Sequence, residues 1–187
     1  MVQNVPGGFI PLNDKGNFAA LAYTYVDSKK TEVYDCVYAA KFNHTPWALE
    51  KLAEKCGEFF EAYPQFIKVD YICAVPAHHS KNYDLPRTLA NQLSENFKIP
   101  DLTSQFSFSS TKQSARSLPL QEKKKNWEEA GVIFTGNDLT GKKILLIDDT
   151  VQSKTSVRHI AKILKSAGME GIYCLCMVKT WSDSDNL

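Results

Sequence analysis

The chain has no Cys-x-x-Cys pair. Its five cysteines stand apart, and the nearest two, Cys174 and Cys176, are separated by one residue, a spacing that suits no zinc chelate. An odd number of cysteines with mostly apolar neighbours predicts reduced, buried thiols in a cytosolic protein. There is no basic excess either: 22 Lys and Arg face 21 Asp and Glu, for a net charge of +1. Direct nucleic-acid binding through a basic patch is therefore not expected. No segment approaches the roughly 20 apolar residues that span a bilayer, and the longest purely aliphatic run is Ile144-Leu145-Leu146-Ile147. The start of the chain carries Pro6, Gly7, Gly8 and Pro11 without a basic-then-apolar pattern. Neither a signal peptide nor membrane attachment is expected, and the expected location is the cytoplasm. Repeats, low-complexity tracts and a Pro/Gly/Ser-rich linker are missing as well. That leaves 1–187 as one expected domain, with 1–17 as an N-terminal extension. What is present, 43% apolar and 23% charged residues, is the mixture of an ordinary globular chain.

Periodicity supplies the coarse elements. Phe18 to Val26 is rich in strand formers and runs into the polar turn Asp27-Ser28-Lys29-Lys30. Thr45 and Pro46 read as an N-cap and first helical position, and Leu49, Leu52, Ala53, Cys56, Phe59, Phe60 and Tyr63 continue at helical spacing. Val69 to Val75 reads as a strand stopped by Pro76, and Leu85, Leu89, Leu93 and Phe97 mark one face of a helix. Ser104 to Arg116, with five serines, reads largely as mobile loop, and Glu122 to Glu129 as a charged helix. Ile144 to Ile147 is a buried strand; Val157, Ile160, Ala161, Leu164 and Ala167 form a helix closed by Gly168; Ile172 to Val178 is the next strand. Strand, helix and strand within about forty residues make a βαβ unit, so an α/β fold with a parallel sheet is predicted.

The chemistry concentrates at Asp148-Asp149-Thr150-Val151-Gln152-Ser153-Lys154-Thr155-Ser156, where two acids end the aliphatic strand and a hydroxyl-rich loop opens a helix. Ligands of open α/β sheets sit outside the carboxyl ends of the strands. There, Asp148 and Asp149 can accept hydrogen bonds from sugar hydroxyls or help hold hydrated Mg²⁺. Backbone N–H groups, the hydroxyls of Ser153, Thr155 and Ser156, and the helix start form a nest for an anion. A ligand with hydroxyls at one end and phosphate at the other, such as a ribose 5-phosphate, suits this order. The plainer alternative is an acidic pair that caps the helix and faces water. Plainer readings exist elsewhere too: His78 and His79 as a surface pair, Lys123-Lys124-Lys125 as a solvated helix face, the three tryptophans as packing residues, and Cys36, Cys56 and Cys73 as core.

Further motifs precede the acids in order: Tyr38-Ala39-Ala40-Lys41-Phe42, then Val75-Pro76-Ala77-His78-His79-Ser80-Lys81, then Thr111-Lys112-Gln113 followed by Gln121-Glu122-Lys123-Lys124-Lys125-Asn126. With the final motif, this series resembles the type I phosphoribosyltransferases, and among them the ComF-like branch, which is linked in bacteria to DNA uptake. The resemblance runs from about residue 20 to 180. It implies a mainly parallel sheet flanked by helices, a small hood from N-terminal segments, and 5-phosphoribosyl 1-pyrophosphate (PRPP) with Mg²⁺ as the ligand. By the same resemblance, Asp148 and Asp149 hold the ribose hydroxyls, Gln152, Ser153, Lys154, Thr155 and Ser156 hold the 5-phosphate, and Ala77, His78, His79 and Lys81 meet the pyrophosphate. Thr111, Lys112 and Gln113 belong to its mobile loop, and Thr111 to Ser117 is the candidate lid. No residue is assigned as a direct metal ligand, and a homodimer is left open. The chain departs from the pattern at three places: it lacks the N-terminal zinc ribbon, its segment between Lys81 and Leu89 is short, and Lys154 stands where the signature has glycine. Two functions follow: phosphoribosyl transfer to a small nitrogenous acceptor, or a non-catalytic ComF-like protein that senses ribose phosphate or nucleotide or serves in an interaction, with a role related to DNA uptake.

Overall fold

A computed structural model describes residues 8–77, 83–109 and 120–180. In chain order the elements are β1 (Ile10–Pro11), β2 (Phe18–Tyr23), β3 (Tyr25–Val26), β4 (Lys29–Lys30), α1 (Glu32–Asn43), α2 (Pro46–Ala62), β5 (Tyr71–Ala74), α3 (Leu85–Phe97), β6 (Phe106–Phe108), α4 (Leu120–Glu129), β7 (Val132–Phe134), β8 (Lys143–Val151), α5 (Thr155–Ser166) and β9 (Gly171–Lys179). The central sheet has the order β1-β2-β9-β8-β5. All its neighbours run parallel except β1, which is antiparallel to β2. The molecule is α/β with a mainly parallel sheet and helices on both faces.

The apolar run of β8 explains this layering. A strand covered on both faces reads as continuous hydrophobic sequence, and Ile144, Leu145, Leu146 and Ile147 are all fully buried. Leu145 and Ile147 join a core with α1, α2 and α3, among them Val37, Leu52, Phe59 and Leu89. Ile144 and Leu146 join a second core with Trp127 of α4 and Val157, Ile160 and Leu164 of α5. Helix α5 buries that stripe and leaves Arg158, Lys162 and Lys165 exposed, as a surface helix should. In the N-terminal segment, Ile10 and Pro11 pair with β2, and Phe9, Ile10 and Leu12 are buried.

Several expectations change. Helix α1 has no clear apolar stripe: Val33, Tyr34, Cys36, Val37, Tyr38, Ala39, Ala40 and Phe42 fall on all sides, and only Cys36, Val37 and Ala40 are buried. Its start is set by Thr31, whose hydroxyl accepts from Tyr34 N at 3.2 Å and donates to Tyr23 O at 2.6 Å. Thr45, by contrast, makes no side-chain cap bond, and the fixed φ of Pro46 starts α2. The first strand breaks at Thr24, and Lys29-Lys30, expected in a turn, is the strand β4. The turn is Asp27-Ser28 alone, both at positive φ (49° and 63°) as a two-residue hairpin requires. The serine-rich segment is not all loop, because Phe106-Ser107-Phe108 pairs with β7 and sets the Phe106 ring edge-on to Phe134 with centroids 5.3 Å apart.

Two glycines follow or precede these elements at positive φ, Gly141 at 74° and Gly168 at 93°. A Cβ on Gly141 would meet nothing within 4 Å, whereas one on Gly168 would lie 3.0 Å from Thr140 N and 3.1 Å from Thr140 Cα. Gly141→Ala should therefore cost only the left-handed backbone penalty, about 1 kcal/mol. Gly168→Ala adds an overpacking cost of about 1–3 kcal/mol. Urea unfolding of both variants tests this; equal losses would contradict the contact at Thr140.

Candidate functional site

The site arises because two neighbouring strands differ in length. Strand β5 pairs with β8 as far as Ala74 opposite Ile147, and Val75 N adds one bond to Ile147 O at 2.8 Å. Strand β8 continues to Val151, paired with β9 through Asp148↔Cys176, Thr150↔Val178 and Val151↔Lys179. Among the described residues no strand joins β8 on the β5 side beyond Ile147. The acids do not end the strand, as the sequence suggested; they lie within it, just past the end of its neighbour. The chain leaves β5 toward α3 on one face and β8 toward α5 on the other. A sheet opens a crevice at such a point, where adjacent connections part to opposite faces.

Alternation along β8 separates the two carboxylates. Asp149 continues the Leu145–Ile147 series toward α1–α3, and Asp148 the Ile144–Leu146 series toward α5. Asp149 is buried, at 8% exposure, and forms an ion pair with Lys41 in the last turn of α1. Asp148 Oδ1 accepts a bond from Asp149 N at 2.8 Å, which fixes its carboxylate against its own strand. Opposite Asp148 in β9, the Cys176 thiol is held well above its ordinary pKa, first by burial, then by Cys174 and the negative charge of the two acids. Such a thiol stays protonated and is no nucleophile. Lys41 belongs to a motif that the sequence displayed, but nothing in the sequence alone assigned it to the acids.

The loop that follows is built around Lys154, the N-cap of α5, at φ 62° and ψ 5°. This is the left-handed region that glycine enters freely. The Lys154 ammonium donates to Leu12 O at 2.7 Å and lies 5.8 Å from the Phe18 ring centre. Sequence reasoning expected that charge to serve a phosphate; here it is engaged with the N-terminal segment, because the left-handed turn directs the side chain toward β1 and β2. Ser153 and Thr155 share a hydrogen bond at 3.0 Å. Ser156 Oγ accepts from Trp127 Nε1 at 3.2 Å, and the Trp127 ring tilts against His159 with centroids 5.2 Å apart. Trp127 also lines an open cavity of about 560 Å³ between α4, β7 and α5, whose lining does not include the acids.

Ala77 lies partly buried beyond β5. His78, His79 and Lys81 lie outside the described residues, as do Thr111, Lys112, Gln113 and the candidate lid to Ser117. Among the described residues no three His, Cys, Asp or Glu side chains converge as a metal cage. Two carboxylates nonetheless suit Mg²⁺ that arrives on phosphate, because that ion keeps several waters and takes one or two protein carboxylates beside its phosphate ligands.

No protein-family model matches the chain, and no curated protein sequence matches it. Solved structures do. A purine phosphoribosyltransferase from Pyrococcus horikoshii matches with a TM-score of 0.45 at 18% identity, over 75% of this chain and 81% of that one. A hypoxanthine phosphoribosyltransferase from Staphylococcus aureus matches with a TM-score of 0.47 at 13% identity, over 74% and 68%. Likeness at this level assigns no residue a role.

The loop geometry makes a direct prediction. Lys154→Ala keeps the left-handed strain and loses the bond to Leu12, whereas Lys154→Gly loses the bond but relieves the strain. Lys154→Gly should therefore be the more stable of the two by about 1 kcal/mol. Thermal and urea unfolding decide it, and an alanine variant as stable as the glycine variant would be inconsistent with the φ of this residue.

Proposed function

We propose that this chain, acting as one phosphoribosyltransferase-like domain, binds PRPP with Mg²⁺ and transfers its phosphoribosyl group to a small nitrogenous acceptor. The observation that carries the reading is the position of Asp148 and Asp149. They lie on β8 just past the end of β5, and the start of α5 follows within six residues. Ribose hydroxyls can donate to carboxylates there while a 5-phosphate meets the α5 N-terminus, where backbone N–H groups and the helix dipole favour an anion. The two groups sit at opposite ends of one sugar, so a single ligand satisfies both.

In this reading Asp148 and Asp149 orient the ribose, and Gln152, Ser153, Thr155 and Ser156 with the loop amides hold the phosphate. Because Ser156 Oγ accepts from Trp127, its own proton is left to donate. Ala77, His78, His79 and Lys81, following β5 across the crevice, are proposed to face the pyrophosphate. In the transfer, an acceptor nitrogen bonds to the anomeric carbon as the bond from that carbon to the pyrophosphate oxygen breaks. Bound Mg²⁺ supplies charge neutralisation for the leaving pyrophosphate. The protein's share is to place the sugar, hold its phosphate and keep water from the anomeric carbon.

One observation favours the second reading, a non-catalytic ribose-phosphate or nucleotide sensor of the ComF-like type with a role tied to DNA uptake. Lys154 replaces glycine, and its ammonium is engaged by Leu12 O, so the substitution adds no free cation to the phosphate loop.

Calorimetric titration of PRPP with Mg²⁺, paired with a pyrophosphate-release screen over nucleobases, separates the readings. A charge-assisted hydrogen bond contributes about 1.5–3 kcal/mol, so Asp148→Asn should weaken PRPP at least about tenfold. Binding with pyrophosphate release supports the transferase, and binding without release for any base supports the sensor. Undetectable PRPP binding by the wild type overturns the transferase, and undetectable binding of ribose 5-phosphate and nucleotides as well overturns the sensor.

A further inference from the structure

Resting on the ribose-phosphate reading and deepening it, we infer that Lys41 is a positioning residue that acts as the built-in counter-cation of Asp149, so that the acid pair refuses a bare divalent cation and admits one carried on phosphate. Asp148 and Asp149 are consecutive on β8 and turn to opposite faces of it, so without a cation nearby the strand end past β5 would carry two negative charges. The Lys41 ammonium pairs with Asp149 at a place where the two side chains are only 16% and 10% exposed. Ion pairs that are withdrawn from water are screened little by salt. The acids with Lys41 therefore present one net negative charge instead of two.

The placement of Lys41 is built into the fold. It comes from α1, whose buried residues Cys36, Val37 and Ala40 pack in the same core as Leu145 and Ile147 of β8. Register parity then aims Asp149, two residues beyond Ile147, at that same helix. The lysine lies in the last turn of α1, where the helix's own negative end also favours a cation. Asp148 has a different surrounding: it faces the α5 side and accepts the Asp149 N–H.

The consequence concerns selectivity. A hydrated divalent cation gains most from an uncompensated carboxylate and least from one that a lysine already holds, as Lys41 holds Asp149. A cation bound to a phosphate ligand meets a different balance. Its charge is offset by the ligand it travels with, and the ammonium, which has three protons, can turn toward a ligand oxygen without leaving Asp149. Lys41 thus keeps the empty site from filling with free metal and leaves the acids available to sugar hydroxyls.

The test uses the full chain and Mn²⁺ alone as probe, followed by electron paramagnetic resonance of the free ion, in wild type, Lys41→Met, Lys41→Arg and Lys41→Met/Asp149→Asn. Wild type and Lys41→Arg should bind Mn²⁺ weakly and alike. Lys41→Met should bind it at least tenfold more tightly, and the double variant should return to the wild-type value. A purely structural lysine would produce no such gain followed by reversal. Should Lys41→Met not fold, Lys41→Gln, which keeps a donor for Asp149 but no charge, is expected to show the same gain. Unchanged Mn²⁺ affinity in the neutral variants, or a gain that survives Asp149→Asn, overturns the inference. A second titration with ribose 5-phosphate present separates this result from the parent reading. Tighter Mn²⁺ binding by wild type with the sugar phosphate supports both. A gain in Lys41→Met without that coupling leaves the counter-cation standing and removes the ribose-phosphate ligand.

Discussion

Burial of both faces of β8 constrains where the strand can sit, and the site follows from that constraint. Ile144 to Ile147 are apolar at every position, so hydrophobicity alone would tolerate a slip of one residue along β5. The acids remove that freedom. A slip that drew Asp148 opposite Ala74 would place a carboxylate among fully buried residues, a cost of several kcal/mol without a partner. The observed register, with Ala74 opposite Ile147, is the last one that keeps both acids beyond the end of β5. The same two residues that suit a ligand thus also set the alignment of the sheet.

Once β8 is fixed, Asp149 requires a cation on the α1–α3 side, and Lys41 is that cation. Such a pair is weak support for stability in itself, because desolvation of both charges offsets most of their attraction. Removing one partner is far costlier than exchanging both, since the other charge is then stranded. The pair is better understood as a constraint on geometry: it ties α1, whose own apolar pattern specifies its facing poorly, to one strand end. The hydrophobic core alone would not choose which turn of α1 stands over the acids.

Much of this could be read from the sequence, for particular physical reasons. Helices α2, α3 and α5 were legible because their apolar residues recur on one face, and β8 because four aliphatic residues in a row need cover on both sides. Helix α1 was not legible as a helix, since Tyr38 and Phe42 are exposed and blur its stripe. Strand β6 hid among serines because three residues are too few to show a period, and its pairing with β7 spans the whole of α4. The acids and the hydroxyl loop were visible as a motif, but the length of β8 beyond them was not, because Asp148, Asp149 and Thr150 are poor strand formers held in place by β9. The Lys41–Asp149 pair joins residues 108 positions apart, and only topology brings such residues together.

The loop before α5 shows how a local rule can be broken and compensated. Its geometry requires a left-handed residue at position 154, which for an L side chain costs about 1–2 kcal/mol. Lysine also cannot cap the helix, having no acceptor. What offsets this is a long side chain that reaches out of the loop, passes beside Phe18 and donates a charged hydrogen bond to Leu12 O, worth about 1.5–3 kcal/mol. Glycine would hold the same turn without strain but could not reach Leu12. The lysine therefore exchanges local ease for a link between the α5 loop and the edge segment that carries β1. That link makes the N-terminal residues part of the loop's support, so the conformation of the loop amides before α5 depends on residues more than 140 positions away. A glycine loop would be set by its own torsions; this one is set by the sheet edge beside it.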